Sequence, residues 1–347
     1  MTTRIAINGF GRIGRIFFRQ AFSNADVEIV AINDLGTAQN LGYLLRHDTV
    51  YRNYEKEVVV TDGQPSQDAS ARRGKLIVDG KEILLLQESD PTKLPWRDLN
   101  IDIVVEATGI FDSQEKAKVH LDAGAKRVVI TAPAKDEVTP TATPNVSLEN
   151  LKLNKITSNA SCTTNAVNPV VAVMHASIGV KKAILNTIHG YTATQGLVDG
   201  PDKKNDFRRA RAAAQNIIPS TTGAAEATVK VIPDLKGLFD GIALRVPVIS
   251  GSIIDFTFVA ARPTSVEEVN GIFKKASQDP IWQGILTVTE EALVSSDILG
   301  NPHGSIVDLA MTRVVDGDLV KVFSWYDNEW GYGSMLLKHV LEVAKLL

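Results

Sequence analysis

A single cysteine, Cys162, occurs in the 347 residues, in Ser161-Cys162-Thr163-Thr164-Asn165, where a helical pattern over 163–178 begins. Free backbone N–H groups and the positive end of the helix dipole at such a position stabilise a thiolate against the ordinary thiol pKa of ~8.5. A lone cysteine is more often a small buried hydrophobe. The position at a helix start is what argues for chemistry. His189 closes a strand-like run inside Thr187-Ile188-His189-Gly190-Tyr191-Thr192. A cysteine and a histidine in contact form an ion pair, the thiolate acting as nucleophile and the imidazole as acid or base. Their separation in sequence leaves open whether they meet.

A second chemistry lies near the start. Gly9-Phe10-Gly11-Arg12-Ile13-Gly14 is a G-x-G-x-x-G that follows a strand-like Arg4–Asn8 and opens a helical pattern carried by Ile13, Phe17 and Ala21. Asp34 ends the next strand-like run, 20 residues past Gly14. Glycines there let the backbone approach a pyrophosphate at a helix N-terminus, and a carboxylate at that offset accepts hydrogen bonds from the adenosine ribose. A glycine-rich turn alone is common, but this one has the strand, the helix and the acid that dinucleotide binding requires. Thr108, Gly109 and Thr131 fall at the carboxyl ends of further strand-like runs, where a doubly wound sheet binds its ligand.

The elements that must hold these residues follow from alternation. Strand, helix and strand over 4–33 are answered by Ile101–Val105, Ser113–Asp122 and Arg127–Thr131, which predicts a parallel sheet in the N-terminal half. Beyond about Ala160 come long β-branched runs, 182–191, 242–247, 252–261 and 319–326, which predict a mainly antiparallel sheet. Gln64–Gly74 and Gly196–Asp206 read as surface loops, and 334–347 as an amphipathic end. Lysine and arginine number 37 against 40 acids, a formal charge of −3, so no overall electrostatic footprint for nucleic acid or an anionic membrane exists. One cysteine excludes an internal disulfide and a cysteine-built zinc site, no metal site is expected, and a reducing, cytoplasmic setting follows. No apolar run approaches the ~18 residues of a membrane span.

Three segments are similar to phosphorylating glyceraldehyde-3-phosphate dehydrogenases: Ile7-Asn8-Gly9-Phe10-Gly11-Arg12-Ile13-Gly14-Arg15, Ser158-Asn159-Ala160-Ser161-Cys162-Thr163-Thr164-Asn165, and Trp325-Tyr326-Asp327-Asn328-Glu329-Trp330-Gly331-Tyr332. On these the chain resembles that family over nearly its whole length. The resemblance implies an α/β protein with a Rossmann NAD domain over 1–160, a catalytic α+β domain over 161–332 with a mainly antiparallel sheet, a C-terminal helix over 333–347 returning to the first domain, and a homotetramer. It implies Cys162 as nucleophile and His189 as base in the oxidation of glyceraldehyde 3-phosphate through a hemithioacetal and a thioester that inorganic phosphate releases. It further implies Asn8, Gly9, Gly11, Arg12, Ile13, Gly14, Asp34 and Asn328 at the cofactor, with Tyr332 near the nicotinamide ring.

By the same resemblance Thr192, Thr194 and Arg245 match a substrate-phosphate site. Ser161, Thr163, Thr222 and Gly223 match an inorganic-phosphate site, with Arg209 able to serve either. Hydroxyls, N–H groups and arginine forks suit phosphate oxygens, although Ser220-Thr221-Thr222-Gly223 also reads as a helix cap. Lys203, Lys204, Arg208 and Arg211 read as a solvated face or subunit contact. The chain departs from the family pattern at Ser89, Ala166, Gly200 and Pro144-Asn145-Val146. Erythrose-4-phosphate oxidation and a non-catalytic NAD-binding regulatory protein are the competing readings. The first is disfavoured by the Thr222-Gly223 loop and the second by intact Cys162 and His189.

Overall fold

The computed structural model describes residues 2–61, 73–202 and 205–347. Two compact units divide the chain, Met1–Ala142, Leu148–Ala160 and Leu336–Leu347 in the first, Thr143–Ser147 and Ser161–Met335 in the second.

In the first unit β1 (Thr3–Asn8), α1 (Arg12–Ala21), β2 (Val27–Asn33), α2 (Ala38–Arg46), β3 (Val58–Thr61), β4 (Arg73–Val78), β5 (Lys81–Leu86), β6 (Ile103–Glu106), α3 (Gln114–Asp122), β7 (Arg127–Ile130) and β8 (Ile156–Ser158) follow in order. The eight strands lie β3-β4-β5-β2-β1-β6-β7-β8. The six from β5 to β8 run parallel, and β4 and β3 extend the edge antiparallel. Ile5, Ala6 and Ile7 of β1 are all buried, the continuous apolar run of a central strand covered on both faces. Since β1 is flanked by β2 on one side and β6 on the other, strand order reverses beside β1, and the crevice outside its carboxyl end is where such a sheet takes a ligand.

The loop read over Gln64–Gly74 needs correction at its end: Arg73 and Gly74 open β4, paired with Leu86 and Leu85. Residues 64–72, like Lys203 and Lys204, lie outside the described residues. Strands β3 and β5 are as apolar as β6, but with the antiparallel β4 between them they do not continue the strand–helix–strand alternation that marks the parallel part.

The second unit contains α4 (Cys162–Ser177), β9 (Val180–Gly190), β10 (Ile218–Thr221), α5 (Ala224–Val231), β11 (Phe239–Val246), β12 (Ser252–Ala260), α6 (Val266–Gln278), β13 (Leu286–Thr289), β14 (Ser305–Val315), β15 (Leu319–Tyr326) and α7 (Trp330–Ala344), the last continuing into the first unit from Leu336. Its sheet runs β10-β11-β9-β12-β15-β14-β13 and is antiparallel except where β11 meets β9 and β14 meets β13. Helix α4 buries Val167, Val170, Val171 and Met174 in one core with Phe256, Phe258, Val320 and Val322. A helix apolar on nearly every face needs such a setting, and the setting fixes where its first residue, Cys162, stands.

Candidate active site

In the first unit a cavity of about 400 Å³ opens at the carboxyl ends of β1, β2 and β6, its wall including Asn8, Gly9, Gly11, Asp34, Ser89 and Thr108. Gly9 has φ +95°, and a Cβ there would lie 2.7 Å from the backbone of Ala107 and Thr108. Only glycine satisfies both demands. A Cβ at Gly11 would meet nothing, so that residue leaves the loop open toward the cavity. Gly14 has a packing role, since a Cβ would strike the Gly9 carbonyl oxygen. Asp34 accepts hydrogen bonds from Phe10 N at 2.6 Å and Gly36 N at 2.8 Å; it thereby holds the glycine loop, and each oxygen keeps lone-pair capacity for a ribose hydroxyl. Glu88 lines the same cavity with a buried Oε2 that has no partner. An orphaned acceptor in a cavity rimmed by open glycine backbone suits a nucleoside with donor groups. The set fits a dinucleotide.

Behind that wall lies a polar network absent from the sequence reading. Trp96 Nε1 donates to His120 Nδ1 at 3.2 Å, so the ring proton sits on Nε2 and is donated to Glu106 Oε2 at 3.0 Å. Asn8 Nδ2 donates to the same oxygen at 2.6 Å, and Thr108 N donates to Oε1 at 2.8 Å. Two cavity residues are thus oriented by buried Glu106. The available signal was a glutamate ending the otherwise apolar Ile-Val-Val-Glu of β6. Among the other expected residues, Arg12 pairs with Asp48 and lies over the Tyr51 ring, Ile13 packs on the core, Gly109 takes φ +72°, and Thr131 N donates to Glu106 O at 3.0 Å.

In the second unit Ser161 caps α4, its Oγ accepting from Thr164 N at 3.1 Å. Cys162 therefore begins the helix with its Sγ 3.3 Å from His189 Nε2. The parallel register of β9 on β11 sets Arg245 beside His189, and Arg245 Nη1 donates to His189 Nδ1 at 2.6 Å and to Gly190 O at 3.1 Å. A guanidinium only donates. Gly190 O also lies 2.6 Å from Nδ1, so the imidazole proton sits on Nε2, facing sulfur, when Nδ1 accepts from Arg245, and on Nδ1 when that nitrogen donates to Gly190 O.

Burial opposes charge on both reacting groups. It pushes the Cys162 thiol up, while Arg245, the Thr163 hydroxyl and helix-start N–H groups pull it back. Burial, then Arg245, drives His189 down to about 3. The imidazole therefore rests neutral, which corrects the expectation of a standing ion pair: the cation that favours thiolate repels the second ring proton.

Residues 3–114 match the family model described as glyceraldehyde 3-phosphate dehydrogenase, NAD binding domain, and residues 161–328 match its C-terminal domain. The chain is 47% identical to the glyceraldehyde-3-phosphate dehydrogenase of Streptomyces coelicolor, with all of both chains covered. Identity is 45% to that of Geobacillus stearothermophilus, with 99% of each covered. It is 44% to glyceraldehyde-3-phosphate dehydrogenase 2 of Bacillus subtilis, with 99% of this chain and 97% of that one covered. The chain belongs to the glyceraldehyde 3-phosphate dehydrogenase family. The α/β reading, with a Rossmann unit and a second, mainly antiparallel one, agrees with both the match and the fold.

Against the family's phosphate pattern the hydroxyls divide. Thr192 and Thr194 stand with their Oγ1 atoms 2.9 Å apart, a pair that can face one anion. Thr163 is buried, its hydroxyl contacts Tyr326 OH at 2.9 Å, and its N–H is among the helix-start groups turned toward the Cys162 sulfur. Thr222 Oγ1 accepts from Ala224 N at 3.2 Å, just past Gly223, the N-cap of α5. Arg209 donates twice to Ser220 Oγ, at 3.1 and 2.8 Å. Asn328 Oδ1 accepts from Ser252 Oγ at 2.8 Å and Gly251 N at 3.1 Å. Tyr332 is buried in the first turn of α7.

Tyr326 has a role that residue type and spacing do not reveal. Its hydroxyl lies 2.8 Å from Thr187 Oγ1 as well as against Thr163, and its ring meets the His189 ring edge-on at 5.9 Å. It braces the residues on either side of the Cys162–His189 contact. In the departing segment, Pro144 and Asn145 form a two-residue turn closed by Val146 N donating to Thr143 O at 2.9 Å, with Asn145 at φ +58°. Proline followed by asparagine is what a type II turn accepts without glycine.

Proposed function

We propose that the protein oxidises glyceraldehyde 3-phosphate with NAD and inorganic phosphate to 1,3-bisphosphoglycerate and NADH. The observation that carries this is Cys162 Sγ at 3.3 Å from a neutral His189 whose far nitrogen is held by Arg245. Cys162 sulfur adds to the aldehyde carbon, and the Cys162 N–H and His189 steady the oxygen that gains charge. The product is a hemithioacetal, and His189 takes its hydroxyl proton as that carbon becomes a thioester carbonyl. NAD, held by Gly9, Gly11, Asp34 and Thr108, supplies the acceptor for the hydride lost in that step. A phosphate oxygen then attacks the thioester carbon, the C–S bond breaks, and the acyl phosphate leaves Cys162 as thiolate.

Arg245 gives the sequence its order. A substrate phosphate that draws the guanidinium from Nδ1 frees that nitrogen to carry the proton and donate it to Gly190 O, 2.6 Å away. Nε2 then presents a lone pair, and neutralising the cation raises the basicity of the ring. Thr192, Thr194 and Arg245 take the substrate phosphate in this reading. Ser161, Thr163, Thr222 and Gly223 take inorganic phosphate, and Arg209 serves either.

Mixing enzyme, NAD and aldehyde without phosphate tests the reading: one NADH per Cys162 forms in a burst, followed by slow hydrolysis. Sustained turnover to the free acid would refute it. A homotetramer is part of the proposal, because Leu197, Val198, Phe207 and Ile217 expose large apolar side chains in one segment, a surface that single folded chains seldom leave open. Light scattering that gives a monomer would exclude it. No helix among the described residues is long and apolar enough to cross a membrane, and we place the activity in the cytoplasm.

A further inference from the structure

A second cavity of the first unit, about 470 Å³, opens where β7 and β8 begin, at the sheet edge opposite the dinucleotide cavity. Arg97, Lys126, Arg127 and Lys155 line it, with Leu121 and Leu346 as an apolar wall. None of them takes part in the reaction derived above.

Arg127 is only 8% exposed. Its Nη2 donates to Leu151 O at 2.5 Å and Asn154 O at 2.6 Å, which fixes the guanidinium plane, while its buried Nε has no partner. No carboxylate pairs with it among the described residues, and burial pulls the guanidinium below its ordinary value. A buried cation held only by carbonyl dipoles, with donor capacity left over, is costly unless an anion completes it. Among the described residues, Lys126 is the one of the four that pairs with an acid, Asp102 at 2.7 Å. The heads of Arg97 and Lys155 have no side-chain partner among the described residues, and the terminal carboxylate of Leu347, at the border, pairs with none of the four. Four cations therefore converge against two carboxylates, Asp102 and that of Leu347, an arrangement whose internal repulsion a bound polyanion relieves.

We propose that this cavity is a binding site for a compact polyanion of the phosphate class, about the size of pyrophosphate. The Arg127 fork supplies a rigid floor, and Arg97 and Lys155 close over the ligand as adjustable rim charges. The site lies wholly within the first unit and stands whether or not the catalytic reading does.

Calorimetric titration of the NAD-saturated full chain with pyrophosphate tests it. Wild type binds, Arg97→Ser/Lys155→Ser binds at least tenfold more weakly, and Arg245→Ala binds within twofold of wild type. Equal binding by the rim variant, or loss in Arg245→Ala, overturns the proposal. So does equally tight binding of sulfate at matched ionic strength, which would mark a counter-ion atmosphere only. Both rim residues are exposed, so the double variant folds. Acetylation footprinting supplies a check without mutation: pyrophosphate slows modification of Lys126 and Lys155 but not of Lys338, and uniform rates would refute the site.

Discussion

The dinucleotide cavity and the Cys162 centre are built in different ways. The first is mostly backbone: Gly9, Gly11 and the N–H groups around them, drawn from one strand–turn–helix and tied by Asp34 from the next strand. The second is mostly side chain, with Cys162, His189, Arg245 and Tyr326 contributed by α4, β9, β11 and β15. A backbone site is set by local spacing and by where glycine is obligatory. A side-chain site is set by strand order and register, because β9 must lie on β11 before Arg245 can reach His189.

Separately built sites should be separately breakable. Cys162→Ser should abolish turnover, by on the order of 10³-fold or more, with NAD affinity by fluorescence titration unchanged; a parallel loss of affinity would mean that the two sites are coupled. His189→Asn should lower the burst rate by about 10²- to 10⁴-fold. Iodoacetamide labelling of wild-type Cys162 should rise with pH through the alkaline range, since burial raises the thiol. It should show no inflection near 6.5, since His189 stays neutral down to about 3. Gly9→Ala should weaken NAD binding by roughly tenfold or more, a left-handed alanine alone costing about 1–2 kcal/mol. Cys162 labelling in that variant should be unchanged.

A finer distinction is cofactor choice. Asp34 bonds Phe10 and Gly36 with its two oxygens, and Glu88 adds a second carboxylate to the same wall. A 2′-phosphate meets both acids and, at Ser89, no cation. NAD should therefore be preferred, and Asp34→Gly should narrow the kcat/KM ratio by about tenfold, roughly 1.4 kcal/mol. A wild type that favours NADP would reverse the reading.

The least effect on rate is expected from His339, buried against Thr157 and Ala142 and held down to about 4, chiefly by burial. The unfolded chain binds this proton near 6.5 and the folded chain only near 4, so stability is full above ~6.5 and falls with pH toward 4, by at most about 3 kcal/mol. Urea midpoints at pH 7.5 and 4.5 should differ less in His339→Phe than in wild type.

The parallel half was legible because β1, β2, β6 and β7 are short apolar runs set off by turns, and the glycine loop with Asp34 specified its own surroundings. Strands β3 to β5 were not, nor was α6, although Ser265 accepting from Glu268 N at 3.2 Å is a capping signal that could have located it. At the reaction centre residue types identified Cys162 and His189. The Arg245 contact, the Tyr326 brace and the neutral resting imidazole depend on register and burial, which spacing does not encode. Thr163 in α4 shows the same limit, since its hydroxyl faces inward to Tyr326.

Leu336, Val340 and Val343 of α7 complete a core otherwise formed by Ile5, Ile7, Phe17 and their neighbours. During synthesis the groove they fill is finished early and must wait for residues 161–335 to be made. At ~5–20 residues per second that wait is on the order of ten seconds or longer. The nascent Rossmann unit thus carries an open apolar groove until the last helix emerges, and a chain truncated before Leu336 would lack the side chains that close its first core.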